Sequence, residues 1–305
     1  RRTSSPTRVQ AAKNGKTFYG PPLGEDALRE AISAYYARIY GLDVPASRVF
    51  VTASGTTAMN LSLATLLDKG DNVVAVTPIW KNLLGAVELT PGLRHPRVSL
   101  DYVDDAWRLD LDKLFSAVTP YTRVLMIVSP SNPTGWFAEE AELRAILDFA
   151  RARGIWVIAD EVYSRLIYDG RTRAPSFLDV STPEDHLLVI NSFSKSWAMT
   201  GWRLGWIVGP PEAADKIRDV ALYNNLCPPT FPQYGAIAAL EEGEGFLAEQ
   251  IALWRANRDA MMAAFAVHAP RAPGSARGHV LWLFPRGGGG RLHHLGQALS
   301  WTRPG

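Results

Sequence analysis

Five clusters of polar residues, each following a short apolar run, are the parts of this sequence able to do chemistry. They are Ser54-Gly55-Thr56-Thr57, Pro78-Ile79-Trp80, Ser129-Pro130-Ser131-Asn132-Pro133-Thr134-Gly135, Asp160-Glu161-Val162-Tyr163 and Asn191-Ser192-Phe193-Ser194-Lys195. Together they offer hydroxyls, backbone N–H groups at a helix start, an aromatic face, an amide, a carboxylate and an amine. A phosphate requires converging donors and a positive field. A flat ring gains from an aromatic to stack on. The set therefore suits a flat, charged, phosphorylated ligand. Taken singly, each cluster has an ordinary reading: a helix cap at Gly55-Thr56, core aromatics at Trp80 and Tyr163, turn chemistry at 131–135, a capping Asp160, surface positions for Lys195 and Arg203. Their conjunction on successive strand ends is what points to a site.

The elements that must position these residues are legible in the apolar pattern. Short apolar runs at 48–52, 73–76, 124–128, 155–159, 187–190 and 204–208 read as strands. Strands apolar on both faces belong to a sheet covered on both sides, and hence to a mostly parallel one. Between and around them lie helical patterns. Leu28, Ile32, Tyr35, Tyr36 and Ile39 mark one over 25–40, stopped by Gly41, and a second spans 56–67 before Gly70. A third covers 139–153 and ends at Gly154, and a long one follows from 246 to about 267. The alternation implies an α/β fold, a three-layer αβα sandwich. In such sheets ligands bind beyond the carboxyl ends of the strands, where all five clusters fall.

With 47% hydrophobic and 20% charged residues, the chain has an ordinary globular composition. A net charge of +2 without basic runs gives no reason to expect nucleic acid or a membrane surface as partner. No apolar stretch approaches the roughly 18 residues that span a bilayer. The single cysteine, Cys227, has no partner for an internal disulfide, as expected in a reducing compartment. No metal site is expected. The start, Arg1-Arg2-Thr3-Ser4-Ser5, has neither Met nor an apolar core, so it is read as the edge of a fragment and not as a secretory signal. No internal repeat is present.

Asn132-Pro133-Thr134-Gly135, Asp160-Glu161-Val162-Tyr163 and Ser192-Phe193-Ser194-Lys195, followed by Arg203, resemble the class I/II aminotransferases in order and spacing. The resemblance runs from about Tyr19 to Phe284. It implies a pyridoxal 5′-phosphate enzyme of fold type I, aspartate aminotransferase-like, acting on an L-amino acid and a 2-oxo acid. Such enzymes are usually cytoplasmic homodimers. Lys195 corresponds to the Schiff-base lysine, which also carries the proton during the reaction. Asp160 corresponds to the carboxylate facing the pyridine nitrogen, and Asn132 and Tyr163 to the pair on the phenolic oxygen. Trp80 would stack on the ring. Gly55, Thr56, Ser192 and Arg203 would hold the phosphate, with Tyr19 reaching it from the partner subunit. Lys195, Asp160 and Tyr163 are thus the expected catalytic residues. The implied organisation is a small-domain segment at 1–18, a large cofactor domain at 19–242 and an incomplete small α+β domain at 243–305.

The likeness has limits. Relatives of this type begin earlier and continue further, and the continuation carries the arginine that grips the substrate carboxylate. Residues 278–286 still read as a small-domain strand, but the tail after Arg286, beginning at a run of four glycines, matches nothing. Neither Arg291 nor Arg303 sits in the expected motif, so no carboxylate-binding residue is assigned, and a truncation or frame shift near Arg286 is expected. Other readings share the same residues: a carbon–sulfur lyase, a decarboxylase, a pyridoxal-phosphate-sensing regulatory domain, or a catalytically impaired fragment. Ser192-x-x-Lys195 also fits the S-x-x-K of penicillin-binding hydrolases, yet the K-T-G strand that should follow is missing.

Overall fold

A computed structural model describes residues 8–89, 95–104 and 106–268 of the chain. The readings placed on 278–286, on the tail beyond and on Arg291 and Arg303 lie outside the described residues.

The strands are β1 (Val49–Thr52), β2 (Asn72–Thr77), β3 (Arg97–Ser99), β4 (Asp101–Val103), β5 (Ala106–Arg108), β6 (Thr122–Val128), β7 (Trp156–Asp160), β8 (Leu187–Ser192) and β9 (Gly205–Val208). The helices are α1 (Arg8–Lys13), α2 (Asp26–Tyr35), α3 (Gly55–Leu66), α4 (Lys81–Glu88), α5 (Leu111–Ser116), α6 (Glu140–Arg153), α7 (Phe193–Ser196), α8 (Ala214–Asn224), α9 (Thr230–Glu242) and α10 (Glu244–His268). Seven strands form one sheet in the order β1-β9-β8-β7-β6-β2-β3, while β4 and β5 make a separate hairpin. The pairs of β2 with β3 and β6, of β6 with β7 and of β7 with β8 are parallel. β9 alone runs the other way, paired antiparallel to both β1 and β8.

Alternation along the strands explains why both faces had to be apolar. In β6, Leu125 and Ile127 join the core on one side, with Val74, Val157 and Val189 from neighbouring strands. Val124, Met126 and Val128 join the other core, beside Val73, Ile158 and Leu188. The helices cover those faces with the caps that the sequence offers. Glu139 and Glu142 form a reciprocal capping box at the start of α6, and Gly154 closes it at φ 64°, a left-handed conformation that suits glycine. The helix expected over 25–40 is continuous, but its last turn, Tyr36–Tyr40, widens to π geometry before Gly41. That turn buries Tyr36 and Tyr40, whose hydroxyls meet Trp206 Nε1 at 3.2 Å and Ser164 Oγ at 3.0 Å.

Candidate active site

Five of the six parallel strands, β1, β2, β6, β7 and β8, deliver the polar clusters from their carboxyl ends at one edge of the sheet. β9 adds a sixth contribution from its beginning, because Gly205 pairs with both Thr52 and Ser192, the last residues of β1 and β8. Arg203, two residues ahead of Gly205, is thereby brought to the same edge. The cleft there has a volume of about 180 Å³ and takes its walls from Gly55, Thr56, Trp80, Asn132, Asp160, Tyr163, Ser192, Lys195 and Arg203. Every candidate residue except Tyr19 is gathered in this one place. Tyr19 lies apart, 83% exposed beside the equally exposed Phe18.

The phosphate-type corner is built from a turn and a helix start. Ser54 caps α3 by accepting the Thr57 N–H at 3.0 Å, which leaves the N–H groups of Gly55 and Thr56 at the helix N-terminus. Gly55 sits so close to Val162 and Ser192 that a Cβ would lie 3.3 and 3.4 Å from their carbons. Ser192 Oγ donates to Leu204 O at 3.1 Å and accepts the Ser194 N–H at 3.1 Å, fastening β9 to the short turn α7 that carries Lys195. Arg203 is held at φ 56° with Nη1 donating to Thr200 O at 2.8 Å, and its side chain is exposed at the cleft mouth.

The reactive corner is drier. Asp160 ends β7 buried, with Oδ1 accepting the Val162 N–H at 3.2 Å. Burial pushes its carboxyl up to about 6, against the opposing pull of that N–H and of Lys195. Lys195 is pushed down to about 8, chiefly by burial; nearby Asp160 resists this and Arg203 adds to it. In both groups desolvation outweighs the mutual attraction of amine and carboxylate. The Lys195 Nζ lies 5.6 Å from the centre of the Tyr163 ring. The Tyr163 hydroxyl is raised by burial and by the Asp160 charge, while a hydrogen bond with the Asn132 side chain opposes the rise. Trp80, 41% exposed, contributes an aromatic side chain to the cleft wall.

Several contributors escaped the motif reading. Gly205 is the main one: a Cβ there would lie 2.6 Å from Gly55 N, 2.7 Å from Ser54 C and 2.8 Å from Asn191 O, all backbone atoms. An isolated glycine inside an apolar strand is the signal that marks such a close approach. Ser194 and Thr200 also line the cleft, as do Leu83, Val128 and Val162, and nothing in their local sequence distinguishes them from cap or core residues. Glu161 is fully buried, with Oε1 accepting the Phe177 N–H at 2.9 Å.

Residues 3–287 match the sequence profile of the family described as "Aminotransferase class I and II". The probable aspartate aminotransferase of Methanocaldococcus jannaschii is 31% identical over 264 residues, covering 82% of this chain and 67% of that protein. The aspartate aminotransferase of Geobacillus stearothermophilus is 35% identical over 233 residues, covering 76% of this chain and 58% of its own length. The chain thus spans about three-fifths to two-thirds of these relatives. Among solved structures, N-succinyldiaminopimelate aminotransferase from Mycobacterium tuberculosis superposes with a TM-score of 0.81 at 31% identity, covering 86% of this chain and 68% of that one. The aromatic aminotransferase from Pyrococcus horikoshii OT3 gives 0.80 at 32% identity, covering 86% and 70%. The sheet with its single reversed strand and the cleft at its carboxyl edge are therefore those of fold type I, and this chain belongs to the class I and II aminotransferases.

Proposed function

We propose that the cleft holds pyridoxal 5′-phosphate on Lys195 and that the protein transfers amino groups between L-amino acids and 2-oxo acids. The observation that carries this reading is the convergence of the buried Asp160 carboxyl and the partly buried Lys195 amine, both shifted toward their neutral forms by desolvation, on one cleft beside an anion-ready helix start. A cationic ring nitrogen would add a counter-charge that favours the ionised Asp160 carboxylate, and a carbonyl carbon would be the natural target of an amine held near pKa 8. Gly55, Thr56, Ser192 and Arg203 would hold the phosphate, Asn132 and Tyr163 the phenolic oxygen, and Trp80 the open ring face.

When bound, the cofactor supplies the electron-accepting ring that makes a proton on a substrate α-carbon removable. The remaining work belongs to this chain. Lys195 Nζ, deprotonated in a large fraction of molecules at mildly alkaline pH, attaches the cofactor and, when free, takes a proton and returns it. Asp160 keeps a positive charge on the ring side of the cleft. Tyr163, kept protonated by its raised hydroxyl, donates a hydrogen bond across the cleft while Asn132 fixes its direction. The apolar wall of Val128, Val162 and Leu83 excludes water on the side away from the mouth.

The same reading divides the chain at 18/19 and at 242/243 and assigns it to a cytoplasmic homodimer. Among the described residues no helix is long and apolar enough to cross a membrane. Support for the dimer comes from the exposed aromatics Phe18, Tyr19 and Tyr223, which lie outside the cleft and would be covered by a second copy, Tyr19 then reaching the partner's phosphate. Product analysis tests the activity: the chain is incubated with pyridoxal phosphate, an amino acid and a 2-oxo acid acceptor. Formation of the matching new amino acid and 2-oxo acid is the expected result. Release of ammonia, sulfide or carbon dioxide in their place would overturn the transferase assignment.

A further inference from the structure

Trp197 closes the turn that carries Lys195: α7 ends at Ser196, and the Trp197 backbone N–H bonds back to Lys195 O. Its indole is buried within an aromatic group, with ring centres 5.7 Å from Tyr35, 5.3 Å from Phe193 and 6.5 Å from Trp206. Yet its Nε1–H has no hydrogen-bond partner among the described residues. Buried N–H groups are rarely left so, and phenylalanine would fill an aromatic cluster without that penalty. The indole edge is instead used for its reach. Its Cδ1 and Nε1 lie beside Gly243, where an added Cβ would be 2.8 and 2.9 Å from them and 2.2 Å from the backbone oxygen of Ala239.

Gly243 is the joint between α9 and α10, and the joint is pinned from the other side. Glu244, the first residue of α10, receives two bonds from Arg165, at 3.1 and 2.6 Å. Arg165 is itself buried and also donates to the Tyr35 hydroxyl at 3.2 Å. A contiguous set of contacts therefore runs from Glu244 through Arg165 and Tyr35 to Trp197, and the Trp197 edge returns to Gly243. We infer that Trp197 is a positioning residue for Lys195, its indole wedged against Gly243 so that the α9–α10 joint sets the depth of the lysine turn in the cleft. The start of the turn is tied down by Phe193 N–H donating to Leu204 O at 3.2 Å and Ser194 N–H donating to Ser192 Oγ at 3.1 Å, whereas its end at Trp197 is followed by Ala198 at φ 53°. This inference rests on the reading of Lys195 as the reactive amine.

The test measures the amine itself. Competitive acetylation of the full chain across pH, followed by peptide mass spectrometry, reports the titration of Lys195, whose surroundings include Asp160, Tyr163 and Arg203. A Trp197→Phe variant keeps the aromatic packing but loses the edge against Gly243. The turn then swings toward water, and Lys195 titrates about one pH unit higher, which is about tenfold slower labelling at neutral pH. Folded Trp197→Phe protein with an unchanged Lys195 titration overturns the inference. Labelling is performed without cofactor, so failure of the wild type to take up pyridoxal phosphate would defeat the proposed function while leaving this result readable.

Discussion

Replacing Asp160 by Asn should make the cofactor-free protein more stable at pH 8 while removing its ability to use the cofactor. The Asp160 carboxyl ordinarily titrates at 3.8 and is pushed to about 6 in the fold, mainly by burial. Between those values the folded chain holds a proton that the unfolded chain has released. Stability therefore falls as pH rises from about 4 to about 6 and stays depressed above that window. A gap of about two pH units corresponds to about 3 kcal/mol at about 1.4 kcal/mol per unit. Coupling to Lys195 and local relaxation reduce this, so about 1–3 kcal/mol is the expected gain from Asn above pH 6. The substitution keeps the shape and leaves an amide oxygen for the Val162 N–H, so no bond seen in the fold is lost. The assay is urea unfolding of both proteins without cofactor at pH 8 and at the lowest pH where both stay folded. The stability difference should shrink toward zero at the acidic end and favour Asn at pH 8. Adding pyridoxal phosphate should stabilise the wild type more than the variant. An Asn variant less stable than wild type at pH 8 would refute the reasoning. Asp160 would then be a satisfied structural residue rather than a charge waiting for a ligand.

Gly205→Ala forces a methyl against three backbone atoms. Overpacking of this kind costs about 1–3 kcal/mol, so calorimetry should show a Tm lower by about 3–9 °C, together with weaker cofactor uptake because the Ser54-Gly55 turn must move. Arg203→Lys keeps the charge but loses the planar two-point grip. The affinity for pyridoxal phosphate measured by equilibrium dialysis should fall by about tenfold or more, with little change in Tm.

The sheet is legible because its strands are apolar on both faces, and the polar clusters that follow them are the residues that line one cleft at its carboxyl edge. Val124 to Val128, followed by Asn132, and Leu187 to Ile190, followed by Lys195, show how directly the pattern translated. What the pattern could not give was direction. β9 looks like its neighbours in composition, and its reversal shows only in its antiparallel pairing with β8 and β1. The strand β3 and the hairpin of β4 and β5 were missed because each is only three residues long. The π turn at Tyr36–Tyr40 likewise has no local sequence signal, since its apolar spacing is helical and its widening answers to the polar partners of Tyr36 and Tyr40. In the site, residues whose chemistry is intrinsic, such as Lys195 and Asp160, were legible. Gly205 and Trp197 act through distances of closest approach, which emerge only once α3, β9 and the α9–α10 joint are packed together.

The most direct test of the central claim is chemical trapping. The full chain is incubated with pyridoxal phosphate, reduced with borohydride, digested and mapped by mass spectrometry. A pyridoxyl phosphate adduct on the peptide containing Lys195, with its absorbance band absent in Lys195→Ala, is the predicted result. A folded wild-type protein that gives no adduct on Lys195, or an adduct spread over surface lysines and unchanged in Lys195→Ala, would contradict it.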